Sequence, residues 1–323
     1  MASRTQPVQW GSLPDELWAK VFSAVDFDER HRSLALVCHR WAELVNSPPL
    51  LADLELSLME PAAVTPGMRA FCAWLARRAA RHVRRLRICV NLEGLQRCDE
   101  FLSLLAAGTT ACSAAGGLQD LRLRIHNHPS SVPLSWVAAL TSLRFLEIEP
   151  DLSSAMDICG SLDHLTNLQK LKLAGAPIRA WEGATRLPFS LTSLQLDDID
   201  EAVSLAPLAS LSRLERLRLL EAEAPSSGYA SLRHLTRMTK LSLTTCSSLP
   251  DSLGELTWLR HLEVKYSQQA SRVGGTVATH LDRVWLVVHC SFLPCNRHLT
   301  GADSCCRVLS KAPCFNDLAF LAA

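Results

Sequence analysis

The residues best suited to chemistry in this 323-residue chain are thiols and imidazoles, and they gather near the C-terminal end. Cys290, Cys295, Cys305, Cys306 and Cys314 stand close in sequence to His289 and His298, and Cys290-x4-Cys295-x2-His298 loosely matches metal-ligand spacing. A zinc site and an irregular terminal segment both fit this pattern. The second is adopted, so no metal and no cofactor are expected. Asp197, Asp198 and Asp200 cluster without a partnered histidine. Arg77, Arg78, Arg81, Arg84, Arg85 and Arg87 form a basic run, but no aromatics interleave at the spacing that base stacking needs. That run reads as a solvated face. No glycine-rich phosphate loop, nucleophile elbow or HExxH helix occurs. The expectation is a protein without its own catalytic site that binds no nucleic acid.

The elements that position such residues are legible from periodicity. Hydrophobic residues make up 48% of the chain and the formal net charge is +1, which supports a packed core and gives no global footprint for an anionic partner. No apolar run approaches the ~20 residues of a membrane helix, and the N-terminal residues lack the layout of a signal peptide. The twelve cysteines are therefore read as thiols in a reducing compartment, cytoplasmic, nuclear or both, with no membrane partner.

One phrase recurs: apolar, two variable positions, apolar, one variable position, apolar. It appears as Leu118/Leu121/Leu123, Leu143/Leu146/Ile148, Leu168/Leu171/Leu173, Leu191/Leu194/Leu196, Leu214/Leu217/Leu219, Met238/Leu241/Leu243 and Leu259/Leu262/Val264. Successive copies are 21 to 25 residues apart, inside the ~20–29 residue period of leucine-rich repeats. Weaker copies start at Leu51, Val83 and Leu281. Side chains alternate along a strand, so Leu171 and Leu173 share one face while Lys170 and Lys172 share the other. One such strand cannot bury its leucines alone. A parallel stack can, with roughly 1.5–3 kcal/mol from each fully buried leucine. Prolines at 133, 150, 177, 188, 207, 225 and 250 interrupt the intervening segments and argue against a helical bundle. Thr65-Pro66 reads as a helix start, with Phe71, Trp74, Leu75 and Ala79 on its stripe. Asp99 and Glu100 open a further helix that ends near Gly108.

Residues 241–264 resemble the plant-type leucine-rich repeat, with Cys246 where that family has Asn or Cys. Ala176, Ile199 and Ala222 cannot supply that side-chain ladder, so irregular loops are expected.

Residues 12–50 read as three short helices. Ser12 and Asp15 form a capping signature and Pro14 lies in the first turn. Leu17, Val21, Phe22 and Val25 make one stripe. A second helix starts near Asp28. A third carries Val37, Cys38, Trp41, Leu44 and Val45 on one face and stops at Pro48-Pro49. About forty residues make a poor core by themselves. The segment resembles the F-box through Leu13-Pro14, Val21-Phe22, Val37-Cys38 and Trp41. It departs where many members carry a leucine pair, having Glu29-Arg30-His31-Arg32, and it has Leu50 where a tryptophan often stands.

The chain as a whole is similar to F-box proteins with C-terminal leucine-rich repeats of plant and green-algal type. That resemblance implies an α/β fold: a leucine-rich-repeat solenoid with a curved parallel sheet, preceded by a small all-α three-helix F-box. The expected layout is a disordered 1–11, the F-box at 12–50, about ten repeats at 51–288 and an irregular Cys-rich tail at 289–323. It also implies a substrate-recognition adaptor of a Skp-cullin-F-box ubiquitin ligase. A Skp-type adaptor, and through it a cullin, would be partners, with an unknown protein substrate. Docking would involve Leu13, Pro14, Leu17 and Phe22, together with Val25, Val37, Cys38 and Trp41. The other reading of Phe22, Val25 and Trp41 is internal packing. A protein-interaction scaffold outside any ligase, cytoskeletal or ciliary, is the alternative function.

The concave sheet face is the usual recognition surface of such arrays. Its candidate residues from the register are Arg122, Phe145, Glu147, Lys170 and Lys172, then Arg216, Arg218, Lys240, His261 and Trp285. Arg122, Glu147 and Lys172 alternate in sign across neighbouring strands. A solvated ion-pair ladder and a charged docking surface both fit that alternation.

Overall fold

A computed structural model describes residues 13–93, 98–127, 132–133, 135–150, 156–157, 162–175, 186–199, 205–222, 226–244, 255–265, 283–287 and 308–310. These fall into two compact units, divided after Arg124.

The first unit opens with helices. Helix α1 spans Asp15–Ser23 and has acidic residues in its first turn and Lys20 in its last, both matched to the helix dipole. Pro14 is its N-cap residue and sits just before the first turn, not in it. Ser12, read as a capping residue, lies outside the described residues. Helix α2 covers Phe27–Arg32, and a single 3₁₀ turn at Leu34–Leu36 follows. Helix α3 is His39–Val45. It is shorter than the sequence pattern implied: Cys38 is an extended N-cap and Val37 belongs to the preceding turn. Pro48-Pro49 does follow a helix end, but these prolines also begin α4, Pro48–Leu51. Proline suits a first turn because its missing N–H has no partner there in any helix.

Strand β1 (Asp53–Leu58) pairs in parallel with β2 (Arg85–Asn91), with Leu54 opposite Leu86 and Leu56 opposite Ile88. Helix α5 lies between them. It starts at Pro61, so Pro66 sits inside it and Thr65 is not its cap. One π turn, Leu75–Ala79, extends α5. Helix α6 runs Cys98–Ala114 and passes through Gly108. Gly116, at φ +70°, marks the left-handed turn beyond the helix end. Gly108 is there for a different reason: a Cβ on it would lie 2.8 Å from Cys72 Sγ on α5. Strand β3 (Asp120–His126) follows and runs across the division between the units.

The second unit is the repeat stack. Short β4 (Val132–Pro133) pairs with short β6 (Met156–Asp157). The main strands are β5 (Phe145–Pro150), β7 (Lys170–Leu173), β8 (Ser193–Ile199), β9 (Arg216–Ala222), β10 (Lys240–Thr244), β11 (His261–Lys265) and β12 (Arg283–Val287). Each pairs in parallel with the next, so Leu146, Leu171, Leu194, Leu217, Leu241 and Leu262 form one buried row. Ile148, Leu173, Leu196, Leu219, Leu243 and Val264 form the second. Both rows follow the recurring phrase read from the sequence. The last strand, β13 (Val308–Ser310), pairs antiparallel to β12.

The return segments are 3₁₀ turns, at Ser135–Ala139, Ala206–Ser210 and Ser226–His234. Buried leucines recur every third residue beside them, as Leu205/Leu208/Leu211/Leu214. Leu208, Leu211 and Leu214 each donate their N–H to the leucine carbonyl three residues back. Three-residue spacing stacks side chains on one edge of a 3₁₀ turn, which closes the apolar interior opposite the sheet. Ile199, at a position where a polar ladder residue would stand, is buried. Gly175 turns the chain after β7 at φ +82°, where a Cβ would come within 2.3 Å of the Pro150 carbonyl oxygen. Ala176 and Cys246 lie outside the described residues. The fold is that of a leucine-rich-repeat solenoid behind a helical N-terminal module.

Candidate functional site

The candidate residues lie on the helical module of the first unit and on the polar face of the strands, taken in each unit by itself. In the module, Trp18, Phe22 and Trp41 form the centre, with ring centroids 5.5 Å (Trp18–Phe22), 4.8 Å (Trp18–Trp41) and 5.0 Å (Phe22–Trp41) apart. Leu44, Val45 and Leu50 complete the cluster, with Leu13 packed on its edge. Phe22 is buried, so it holds the module together from within. Arg40 ties the start of α3 to the start of α1, reaching Asp15 at 2.6 Å and donating to the Leu13 carbonyl at 2.7 Å.

The exposed side is as informative as the core. Six large hydrophobics are exposed among the described residues, and Leu17, Val21, Leu36 and Val37 are four of them. Leu36 is the most exposed, at 79%. Pro14 and Cys38 are exposed as well and Val25 is half-buried. The eight docking candidates thus separate into core (Phe22, with Leu13 and Trp41 packed on its cluster), surface (Pro14, Leu17, Val37, Cys38) and the half-buried Val25. Leu36 joins the surface set in the structure, because the 3₁₀ turn at Leu34–Leu36 breaks the helical phase that a sequence pattern extrapolates.

The charged second helix has a packing explanation. Arg30 is buried and donates to the Leu50 carbonyl at 3.4 Å. Burial pulls its pKa down, opposed by Asp26 and Asp53. Phe27 and His31 turn toward α5: Phe27 meets Phe71 at 5.7 Å and Trp74 at 5.1 Å, and His31 meets Trp74 at 5.1 Å. His31 Nδ1 is 2.9 Å from the Phe27 carbonyl oxygen. Burial lowers the His31 pKa and the charge on Arg30 adds to this, while the Phe27 carbonyl works against it. Where a leucine pair often stands, Arg30 thus bonds to α4 within the module while Phe27 and His31 pack on α5.

The polar face of the strands carries the other candidates. In the first unit Arg122 pairs with Asp120 on its own strand at 3.2 Å. In the second unit Lys172 binds Glu147 at 2.5 Å across the β5–β7 pair, with Glu149 at 3.8 Å. Phe145 is half-buried and Lys170 exposed, and the two are register partners. Asp197 accepts from Gln195 at 3.3 Å; its pKa is raised by burial despite Gln195, Lys172 and Arg218.

Arg216, Arg218, Lys240 and His261 line an open groove of about 570 Å³ with Ser193 and Glu263. Trp285 lies on β12, and its side chain falls outside the described residues. The tail cysteines and His289 and His298 also lie outside them. Among the described residues no group of His, Cys, Asp or Glu is placed to hold a metal ion. Burial pushes the Cys72 thiol up to about 11 and Cys112 to about 12, so neither is an available nucleophile at neutral pH. No described helix is long and apolar enough to cross a membrane.

The first unit thus carries a helical module and the second a repeat stack, and among the described residues no metal-holding group is assembled. Comparison with known proteins places the helical module more narrowly. Residues 10–54 match the F-box-like family model, so the chain carries an F-box-like domain followed by leucine-rich repeats. No curated protein matches the chain. Similar solved structures are all leucine-rich-repeat proteins. The ectodomain of the Arabidopsis receptor kinase HAESA, solved with an extended IDA peptide hormone, is 21% identical over 58% of this chain and 30% of its own, at TM-score 0.40. An internalin of Listeria monocytogenes is 16% identical over 70% of this chain and 89% of its own, at TM-score 0.33. A leucine-rich-repeat protein of Leptospira interrogans is 17% identical over 70% and 64%, at TM-score 0.33. This chain thus spans under a third of the receptor ectodomain.

Proposed function

We propose that this protein is a substrate-recognition adaptor of a Skp-cullin-F-box ubiquitin ligase, with its helical module on a Skp-type adaptor and its repeats on a target protein. The observation that carries the reading is the exposed apolar set at Leu17, Val21, Leu36 and Val37, inside the segment that matches the F-box-like model. Apolar side chains held in water over a fully formed aromatic core are unused by the fold, and interface centres are built from such residues. Leu13, Pro14 and Cys38 border that set. Phe22, Val25 and Trp41 shape it from beneath. The target would lie on the polar sheet face, among Phe145, Lys170, Arg216, Arg218, Lys240 and His261. The compartment that fits is cytosol or nucleus, where cullin ligases and reduced thiols coexist.

A scaffold outside any ligase is favoured by one specific contact. Phe27 and His31 seal the module onto α5, which is what an N-terminal cap of a repeat array does. Purification of the full chain from proteasome-inhibited cells separates the two. The adaptor reading requires a Skp-type protein and a cullin among the co-purifying proteins. Recovery of stable partners without either supports the scaffold.

A further inference from the structure

Four aromatic side chains of the first unit line one open cavity of about 280 Å³. Phe27 and His31 reach it from α2, Phe71 and Trp74 from α5, and Leu56 and Leu58 from β1. The rings cross more than they stack: Phe27 stands at 89° to Phe71 and 62° to Trp74, and His31 at 79° to Trp74. Crossed rings turn their electron-rich faces in several directions at once. Phe27, His31 and Trp74 are only half-buried, so part of this aromatic surface stays in water. Small residues leave the space open. Gly67, Ala70, Phe71 and Trp74 recur at helical spacing along α5 and all line the cavity. A Cβ at Gly67 would already come to 3.0 Å from Leu58 Cδ2.

The charges around the cavity favour a cation over an anion. Its lining holds one carboxylate, Asp28, and one guanidinium, Arg32, and these exposed side chains pair at 2.9 Å. An anionic ligand would meet no unpaired cation there. Burial lowers the pKa of His31, so at neutral pH its ring adds no positive charge. What acts on a ligand inside is the negative quadrupole face of the rings.

We infer that the cavity between α2 and α5 binds the trimethylated ammonium of a lysine side chain on a partner protein. The inference does not rest on the adaptor reading, because no residue of the docking set or of the sheet face lines this cavity. A quaternary ammonium has no N–H to satisfy and spreads its charge over methyl groups, so aromatic faces can replace its water. An unmodified lysine is strongly hydrated and carries three donors, for which Phe27, Phe71 and Trp74 offer no acceptor. A choline lipid carries the same chemical group. Against that source, Asp28, Glu29 and Arg32 are charged and exposed around α2, and pressing them into a bilayer is costly. A peptide fits better. Among the described strands β1 pairs with β2 alone, so its other edge can accept extended backbone beside Leu56 and Leu58.

The test uses the immobilised full-length chain and three degenerate peptide pools that differ only at a fixed centre. The centre is trimethyllysine, lysine, or the uncharged carbon analogue of trimethyllysine with a tert-butyl end. Retention of the trimethyllysine pool about tenfold above both others is expected. Trp74→Leu keeps apolar bulk but removes a ring face, and should abolish the preference over the uncharged analogue. Arg32→Gln frees Asp28 and should raise trimethyllysine retention about threefold, while Asp28→Asn frees Arg32 and should lower it by a similar factor. Neither should move the uncharged pool. Both act on exposed side chains, so they decide the matter if thermal melting shows that Trp74→Leu unfolds. Equal retention of the trimethyllysine and uncharged pools overturns the ammonium assignment, as do charge substitutions that shift both pools alike. Equal retention of all three pools, retention of none, or a preference that survives Trp74→Leu overturns the site. Co-sedimentation with phosphatidylcholine vesicles, without a preference among the pools, overturns the lysine source.

Discussion

Gly108 gives a direct test of how the first unit is packed. In an exposed helix interior, glycine to alanine stabilises by about 1 kcal/mol, because alanine restricts the unfolded chain and favours the helix. At this position the added methyl would meet Cys72 Sγ at 2.8 Å, with Cys72 Cβ at 3.4 Å and Leu75 Cδ2 at 3.5 Å. Cys72 is buried and contacts the Leu104 carbonyl at 3.1 Å and Met68 Sδ at 3.5 Å, so its sulfur has no open space to enter. Overpacking of this kind costs about 1–3 kcal/mol. Gly108→Ala should therefore lose its expected gain and destabilise by up to about 2 kcal/mol. With Cys72→Ala the sulfur is gone and the remaining neighbours lie at ordinary contact distance. In that background Gly108→Ala should stabilise. The double-mutant cycle isolates the clash as a coupling of about 1–3 kcal/mol, read from urea unfolding followed through the first unit's tryptophans. A stabilising Gly108→Ala in the unaltered chain, or a coupling near zero, would refute the α5–α6 packing.

Other perturbations probe the remaining elements. Phe22→Ala removes a fully buried ring from the module core and should cost about 3–5 kcal/mol by thermal or chemical melting. Leu36→Ser should leave the melting temperature unchanged within a degree or two, because its side chain is already in water. His31 predicts a pH dependence whose sign follows from its lowered folded pKa. Below its ordinary value of 6.5 the unfolded chain takes a proton that the folded chain resists, so stability falls as pH drops through that value. His31→Phe should flatten this part of the stability profile; an unchanged slope would remove His31 as its source. Gly175→Ala forces a side chain into a left-handed turn against the Pro150 carbonyl, and loss of folding yield is the expected readout.

What the sequence disclosed, it disclosed through periodicity. The leucine rows needed only the alternation of a strand and the inability of one strand to bury them. The register of Lys170, Arg216 and Lys240 on the opposite face followed from the same count. Where the period changes over a few residues, that inference failed. The 3₁₀ turn at Leu34–Leu36 shifted Val37 and Cys38 off the third helix, and Leu36 onto the surface. Gly108 and Thr65-Pro66 carry signals of helix ends, and α5 and α6 override both. A glycine demanded by a neighbouring helix looks like a glycine demanded by a turn. Long-range contacts left no local trace: nothing near Glu29-Arg30-His31-Arg32 reveals that Phe71 and Trp74 wait for Phe27 and His31. Charge alternation was visible, but which cations find carboxylates depends on side-chain reach. Arg122 turned to Asp120 on its own strand, and Lys172 crossed to Glu147.

The central claim is that the helical module docks a Skp-type adaptor through apolar side chains that the fold leaves in water. The measurement that tests it most directly is calorimetric titration of purified Skp-type adaptor into the full-length chain and into its Leu17→Ser/Val37→Ser variant. Truncating two residues at an interface centre costs about 1–2 kcal/mol each or more, so affinity should fall at least about tenfold, with the melting temperature unchanged. Equal affinity of the two proteins, or no binding by the unaltered chain, would contradict the account.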